Sequence, residues 1–520
     1  MLSFVQRHRE SVTGVLSGFD RLRFRGTLRI LAHVGGMMNY LWHRQVLLKD
    51  FKEHALSATE RVRQATVAMA ERAGRPLHYL ASSSIRKEDY VREISATDRV
   101  EEGLIAVLSC VEPCRSYEIH RNRETKHLDL RNSSLKCLHY YCYFQHPQLG
   151  FMHARLQTWF PFTMHVCVNG REWLAKQMDR AKLAYRRQDN CFLELADAKR
   201  AQQLFDRQLT TDWPKLLDRL ARQVNPQLQK ILGDYAVPYY WSVDQSEWAT
   251  DVMFRSQAAL AAHYPRWLLH GITALGSREV LRFLGRKAPA QRSLGCFKAE
   301  VQTDLGHRVE GTRVKHFVNQ NSIKMYDKQG RVLRIETTIN SPREMKVYRR
   351  KEGDDKGSKA WRYLRKGVAD MPRRAEISQA ANDRYLESLA TVDETTPLEQ
   401  LTKPLCRATT WQGHRVRALN PLAQEDAALL AAVNRGEFVL HGFRNRDLQS
   451  LIYTGTKVAA TEQRRRSGAV TRKLRLLRAH GLIKKIPHTH RYQLTDQGRT
   501  TITALLAARQ ANTSQLLKAA

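Results

Sequence analysis

The sequence predicts an α+β multidomain protein, a mixed α/β body followed by a small C-terminal domain. Three observations predict it. Over residues 1–394, runs that alternate apolar and polar residues are interleaved with runs of three-and-four apolar spacing. Residues 395–421 hold three Pro and little periodicity, which marks a linker. Residues 422–520 carry a strongly basic helical run and a short ribbon.

Within the body, residues 1–75 open with alternation around a Gly-rich centre over 12–28, read as a strand pair. Helices follow at 37–54 and 59–73, and Arg75–Pro76 breaks the pattern. Residues 76–170 are β-rich, with runs at 138–145 and 150–168 joined by a hairpin turn at 146–150. Residues 171–233 read as helical, at 172–182 and 197–224, with a joint at Trp213–Pro214. Residues 234–394 are mixed. A strand lies in 239–254, helices at 256–274 and 278–285, strands at 297–304, 312–327 and 332–340, an exposed loop in 351–370 and a helix at 377–391. No internal repeat of 20–50 residues is visible.

At 520 residues the chain is long enough for several cores. Its 86 basic against 51 acidic residues give a net charge of +35, spread along the whole length. Such an excess draws polyanions and makes binding salt-dependent. The 42% hydrophobic content and nine Trp argue against disorder. No apolar window is long enough for a membrane span, and the N-terminus lacks a signal-peptide core. A cytoplasmic location, nucleoid-associated if the partner is DNA, is the expectation. Eight Cys are ordinary usage for a reducing compartment.

The basic run is the sharpest signal. From Glu462 to Arg491 there are ten Lys/Arg and one acid. Val470, Leu474, Leu477 and Leu482 fall at helical spacing, so one face packs and the cations lie largely off it. Gly481 ends the helix in a left-handed position. Two runs, 482–486 and 491–494, then form a ribbon around Pro487–His490. Helices at 425–434 and 446–453, the second capped by Asn445, precede it. This order resembles a C-terminal winged helix-turn-helix domain. The resemblance implies that Arg464, Arg465, Arg466, Thr471, Arg472, Lys473 and Arg475 face a duplex groove. It also implies that Lys484, Lys485, His488, His490 and Arg491 touch phosphates.

The central segment holds most of the remaining chemistry. Asn321–Lys328 and Arg331–Thr338 fit a hairpin closed by Gln329–Gly330. Alternation puts Lys324, Tyr326 and Lys328 on one face, with Arg334, Glu336 and Thr338 alternating on the partner. TyrAspLys followed by LeuArgIleGlu resembles rolling-circle replication initiators of filamentous phages and plasmids. That resemblance implies carboxylates around a divalent ion and Tyr326 as nucleophile. The chain departs from that family in lacking two His that flank one bulky residue. A second reading joins Asp20, Asp244, Glu247, Asp251 and Glu336 around Mg²⁺, since two-metal phosphodiester cleavage needs clustered carboxylates. Asp20 in an opening strand is similar to the first acid of ribonuclease-H-like nucleases and transposases. The bland reading pairs these acids with the abundant Arg and Lys.

Cys110, Cys114, Cys137 and His139 have a spacing that a structural zinc ion accepts, against the reading of plain thiols. The aromatics from Tyr140 to Phe162 either stack bases or form a hairpin core. No phosphate-cradling Gly-rich motif and no nucleophile elbow are present. The expected function is therefore a nucleic-acid-binding protein of mobile-element type, on DNA or structured RNA. Metal-dependent cleavage or nicking would be its enzymatic form. The alternative is a non-enzymatic winged-helix regulator or a protein component of a large ribonucleoprotein.

Overall fold

One mixed sheet of eleven strands threads through the body of this computed structural model. The structure describes residues 1–520 apart from 236, 286–300, 351–356, 391, 393–396, 436–437, 439–441, 454–458, 488 and 512–520.

The first strand, β1, is one continuous element, Val12–Leu28, and not a strand pair. Its Gly-rich centre reflects packing: a Cβ on Gly18 would lie 2.2 Å from the Phe205 ring. A short β2 (Leu77–Tyr79) comes next, then the meander β3 (Gly103–Arg121), β4 (Leu128–His146), β5 (Gly150–Gln157) and β6 (Met164–Asn169). A small hairpin, β7 (Tyr185–Gln188) and β8 (Cys191–Leu195), sits inside the stretch read as helical. The strand β9 (Tyr239–Phe254) fills the stretch expected to hold a strand. A second meander follows, β10 (Val301–Arg308), β11 (Gly311–Val318), β12 (Asn321–Lys328) and β13 (Val332–Ile339).

The strand order is β10-β11-β12-β13-β9-β1-β6-β5-β4-β3-β2, antiparallel except for β2 on β3. Each half has the same connectivity. A long strand leaves the centre, and a four-stranded meander returns to it by its last member. The halves meet through the antiparallel pair β1–β9. This structural repeat is far longer than 50 residues.

Helices Val34–His43, Phe51–Arg72 and Trp213–Val224 bury Leu22, Phe24, Val166 and Val168 of the first half. Helices Tyr264–Thr273 and Met371–Ala390 bury Val252, Ile323 and Ile335 of the second half. The predicted joint holds, since Asp212 caps helix Trp213–Val224 and Pro214 sits in its first turn. Cross-strand pairing puts Arg21, Arg23, Glu247, Glu336, Lys324 and Tyr326 on the other sheet face. Two further hairpins follow, β14 (Lys346–Arg349) with β15 (Ala360–Tyr363) and β16 (Thr409–Trp411) with β17 (His414–Val416).

The C-terminal unit has its own core. Helices Gln424–Val433, Asn445–Ile452 and Ala460–Ala479 lead into the hairpin β18 (Ile483–Lys485) and β19 (Tyr492–Leu494), then helix Asp496–Gln510. Val470, Leu474, Leu477 and Leu482 are all buried as their spacing predicts, and Gly481 has φ +68°. Asn445 is not the cap. Its amide donates to Ser467 O and Thr471 Oγ1 and clamps two helices together, while the Asp447 carboxylate accepts from Arg444 N–H. Among the described residues no helix is long and apolar enough to cross a membrane.

Candidate functional site

Three carboxylates meet where the two halves of the sheet join. Asp20 comes from β1, Glu247 from β9 and Glu336 from β13, with one oxygen of each within 4.8 Å of the others. The backbone explains the approach. Phe19 pairs with Trp248 and Arg21 with Glu247, so Asp20 is the extra residue of a β-bulge. A bulge re-aims one side chain without ending the strand. Glu336 lies two residues from Thr338, which is the direct partner of Glu247.

Each acid has a different environment. Both oxygens of Asp20 accept from Asn190 Nδ2 at 2.9 Å, and Arg334 Nη1 lies 3.2 Å away. Burial resists ionisation of Asp20, but Arg334 and Arg171 outweigh it and hold its pKa at about 2. Glu247 accepts from Gln245 Nε2 at 3.0 Å. Glu336 is fully buried, and Lys324 Nζ lies 2.5 Å from its Oε1. The ammonium and the carboxylate form a close buried ion pair. Burial lifts the Glu336 pKa to about 7; Lys324 opposes the rise, and Glu247 and Asp20 add to it. Lys324 is held above the usual lysine range by the same carboxylates despite burial.

The other predicted acids stand apart. Asp251 is structural: Arg334 grips it through Nε at 2.6 Å and Nη2 at 2.8 Å, and Arg171 Nη2 lies at 2.8 Å. Two guanidinium groups take up three of the roughly four acceptor sites of this carboxylate. Asp244 occupies a second irregularity of β9 and faces His165 at 3.5 Å and Lys366 at 3.7 Å. Tyr326 pairs with Arg334 across the strands, so it shares the face of Lys324 and Glu336. Its buried ring lies 5.2 Å from Lys324 Nζ and 5.6 Å from Lys328 Nζ.

The zinc reading is not supported. Among the described residues the acid triad is the only group of three or more ligand atoms within 4.8 Å of one another. Cys110 donates to Glu112 at 3.1 Å, and burial pushes its thiol up to about 11, away from the thiolate that zinc needs. Cys137 lies 4.0 Å from His139 Nδ1 and shares a hydrogen bond with Cys114. The aromatic stretch is core, with Tyr140, Phe144, Phe160 and Phe162 buried.

In the C-terminal unit Arg464, Arg465, Arg472 and Arg475 are exposed on helix Ala460–Ala479, as are Lys484, Lys485 and His490 on the hairpin. At least five of the predicted contacts already have partners, among them Arg465, which pairs with Glu462 at 2.8 Å. Lys473 pairs with Glu425. Arg466 bonds Glu462 at 3.1 Å and stacks over Tyr453. Thr471 receives the Asn445 amide at 2.8 Å. Arg491 lies 4.6 Å over the Tyr348 ring. Arg475 also reaches the Trp411 ring, at 5.6 Å. His488 lies outside the described residues.

Sequence reasoning did not single out Arg171 and Asn190 as members of the site. Arg171 follows the Asn169–Gly170 helix start, and Asn190 follows Asp189, whose φ of 49° forms the β7–β8 turn. That AspAsn pair was the available signal for a turn. Searches of protein-family models, of curated proteins and of solved structures each found no match to this chain.

Proposed function

We propose that this chain is a metal-dependent DNA-nicking protein of mobile-element type. The observation that carries the reading is the convergence of Asp20, Glu247 and Glu336 from three strands. Three carboxylate oxygens form a hard donor set that suits Mg²⁺ or Mn²⁺. A bound divalent ion supplies positive charge to a phosphoryl oxygen.

The chain's own residues supply the rest. Lys324 provides fixed positive charge beside the triad. Arg171 and Arg334 hold Asp20 ionised. Tyr326 is the nucleophile in this reading, with water as the rival. The C-terminal unit acts as a winged helix-turn-helix on a duplex, through Arg464, Arg472, Lys484 and Lys485. DNA is preferred because a recognition helix enters the major groove of B-form DNA, whereas that of A-form RNA is too deep and narrow.

Supercoiled plasmid incubated with the protein and Mg²⁺ should become nicked. Glu336→Gln should abolish nicking and leave DNA retention intact. An intact plasmid that the wild-type protein still retains would instead give the non-enzymatic regulator. A covalent protein–DNA adduct that disappears in Tyr326→Phe identifies the tyrosine as nucleophile; nicking without an adduct assigns water.

A further inference from the structure

A cleft of about 1240 Å³ opens beyond the C-terminal end of β1, between Tyr240 on β9 and the β14–β15 hairpin. Its described lining includes six Lys/Arg and no Asp or Glu. Among them are Arg29, Arg343, Arg362 and Lys366. Lys366 approaches one acid, Asp244, at 3.7 Å. Three aromatic side chains on the wall are exposed: Tyr363 at 59%, Trp361 at 40% and Tyr240 at 38%. Trp361 and Tyr363 are two residues apart on β15, so they point to one side at a spacing of about 6.6 Å. The guanidinium of Arg29 stacks on Tyr240 at 3.3 Å.

Exposed rings beside a cluster of cations fit one class of polymer. Bases stack on aromatic faces, and the groove charge follows the phosphates. A small anion needs no rings, and an apolar peptide needs no such charge. The cleft is also well placed. Arg29 directly follows β1, whose Arg21, Arg23 and Arg25 face the same side as Glu247 by register. Asp20 is nine residues back along that strand, roughly 30 Å. On the other side, Arg491 of the C-terminal unit lies over Tyr348 of β14, and the Tyr348 ring is 5.6 Å from Trp361. The cleft therefore lies between the duplex-holding unit and the strand that bears Asp20.

We propose that this cleft holds single-stranded DNA, with bases stacked on Trp361 and Tyr363 and phosphates on the surrounding Arg and Lys, and that β1 leads the strand to the carboxylate triad. The inference deepens the nicking reading and rests on it for the choice of DNA. Anisotropy of a fluorescein-labelled oligothymidylate reports the binding directly, with the full chain and no Mg²⁺. Trp361→Ala combined with Tyr363→Ala should weaken it about tenfold or more. The double Phe variant should restore it, which separates stacking from misfolding. An abasic oligomer of equal length should bind the wild-type chain more weakly than oligothymidylate does. Duplex affinity should not change in the Ala variant. Unchanged oligothymidylate affinity in that variant, or equal affinity for the abasic oligomer, overturns the proposal. Tighter binding of oligouridylate overturns the assignment to DNA. Failure of the nicking reading looks different: plasmid stays intact with Mg²⁺ while oligothymidylate still binds.

Discussion

Lys324 and Glu336 face each other across β12 and β13 as a register pair, with Nζ 2.5 Å from Oε1. Charge neutralises the pair only in part, because Glu247 and Asp20 crowd the same acid.

The first prediction follows from that crowding. The folded pKa of Glu336 is raised from 4.5 to about 7. The folded protein therefore binds a proton more tightly than the unfolded chain. Its contribution is fully present below about pH 4.5 and is lost as pH rises towards 7. In metal-free buffer the wild-type protein should lose up to about 3 kcal/mol over that window. Glu336→Gln should flatten the profile in urea-melt experiments, and a Gln variant with the wild-type slope removes this account.

Mg²⁺ should compete with the same proton. Below pH 7 the apparent Kd for Mg²⁺ should rise by up to tenfold per pH unit, because one proton must leave. Titration calorimetry at several pH values checks it. Asp20→Asn should weaken Mg²⁺ binding at every pH.

Asp251→Asn should act differently from Asp20→Asn. It leaves the buried guanidinium groups of Arg334 and Arg171 without their main counter-charge. Breaking such a pair costs about 3–5 kcal/mol. A lower Tm with retained Mg²⁺ binding in the folded fraction is the expected result.

Gly18→Ala places a Cβ 2.2 Å from the Phe205 ring. Overpacking of this kind costs about 1–3 kcal/mol. Phe205→Leu in the same chain should recover part of it, as read by thermal melts.

On DNA, Lys484→Ala should lower affinity for all sequences alike and flatten the salt slope by about one unit. Arg472→Ala should cost about 1–3 kcal/mol on a preferred site only. Lys473→Ala should have little effect, because its ammonium already pairs with Glu425. Equal losses in all three variants would falsify the docking geometry.

Much of the local structure was readable. The β12–β13 hairpin follows from two-residue alternation and a GlnGly turn, although the run 312–327 read as one strand is two, β11 and β12. The helix Ala460–Ala479 follows from its Leu stripe. The grouping of Asp20 with Glu247 and Glu336 was within reach only as part of a longer list. Which acids converge depends on a register between strands more than 200 residues apart, and on one bulge at Asp20. Alternation says which side a residue faces but not which strand lies next to it. The same limit hid the role of Gly18. A glycine that admits a neighbour's ring and a glycine that turns the chain look alike in sequence.

The pairing of β1 with β9 makes the carboxylate triad a shared possession. One half of the chain brings Asp20 and the other brings Glu247 and Glu336. Two separately expressed fragments, divided near Gly233, would each be inert. Their reassembly should restore the Mg²⁺ binding proposed for the triad, and so report fragment complementation.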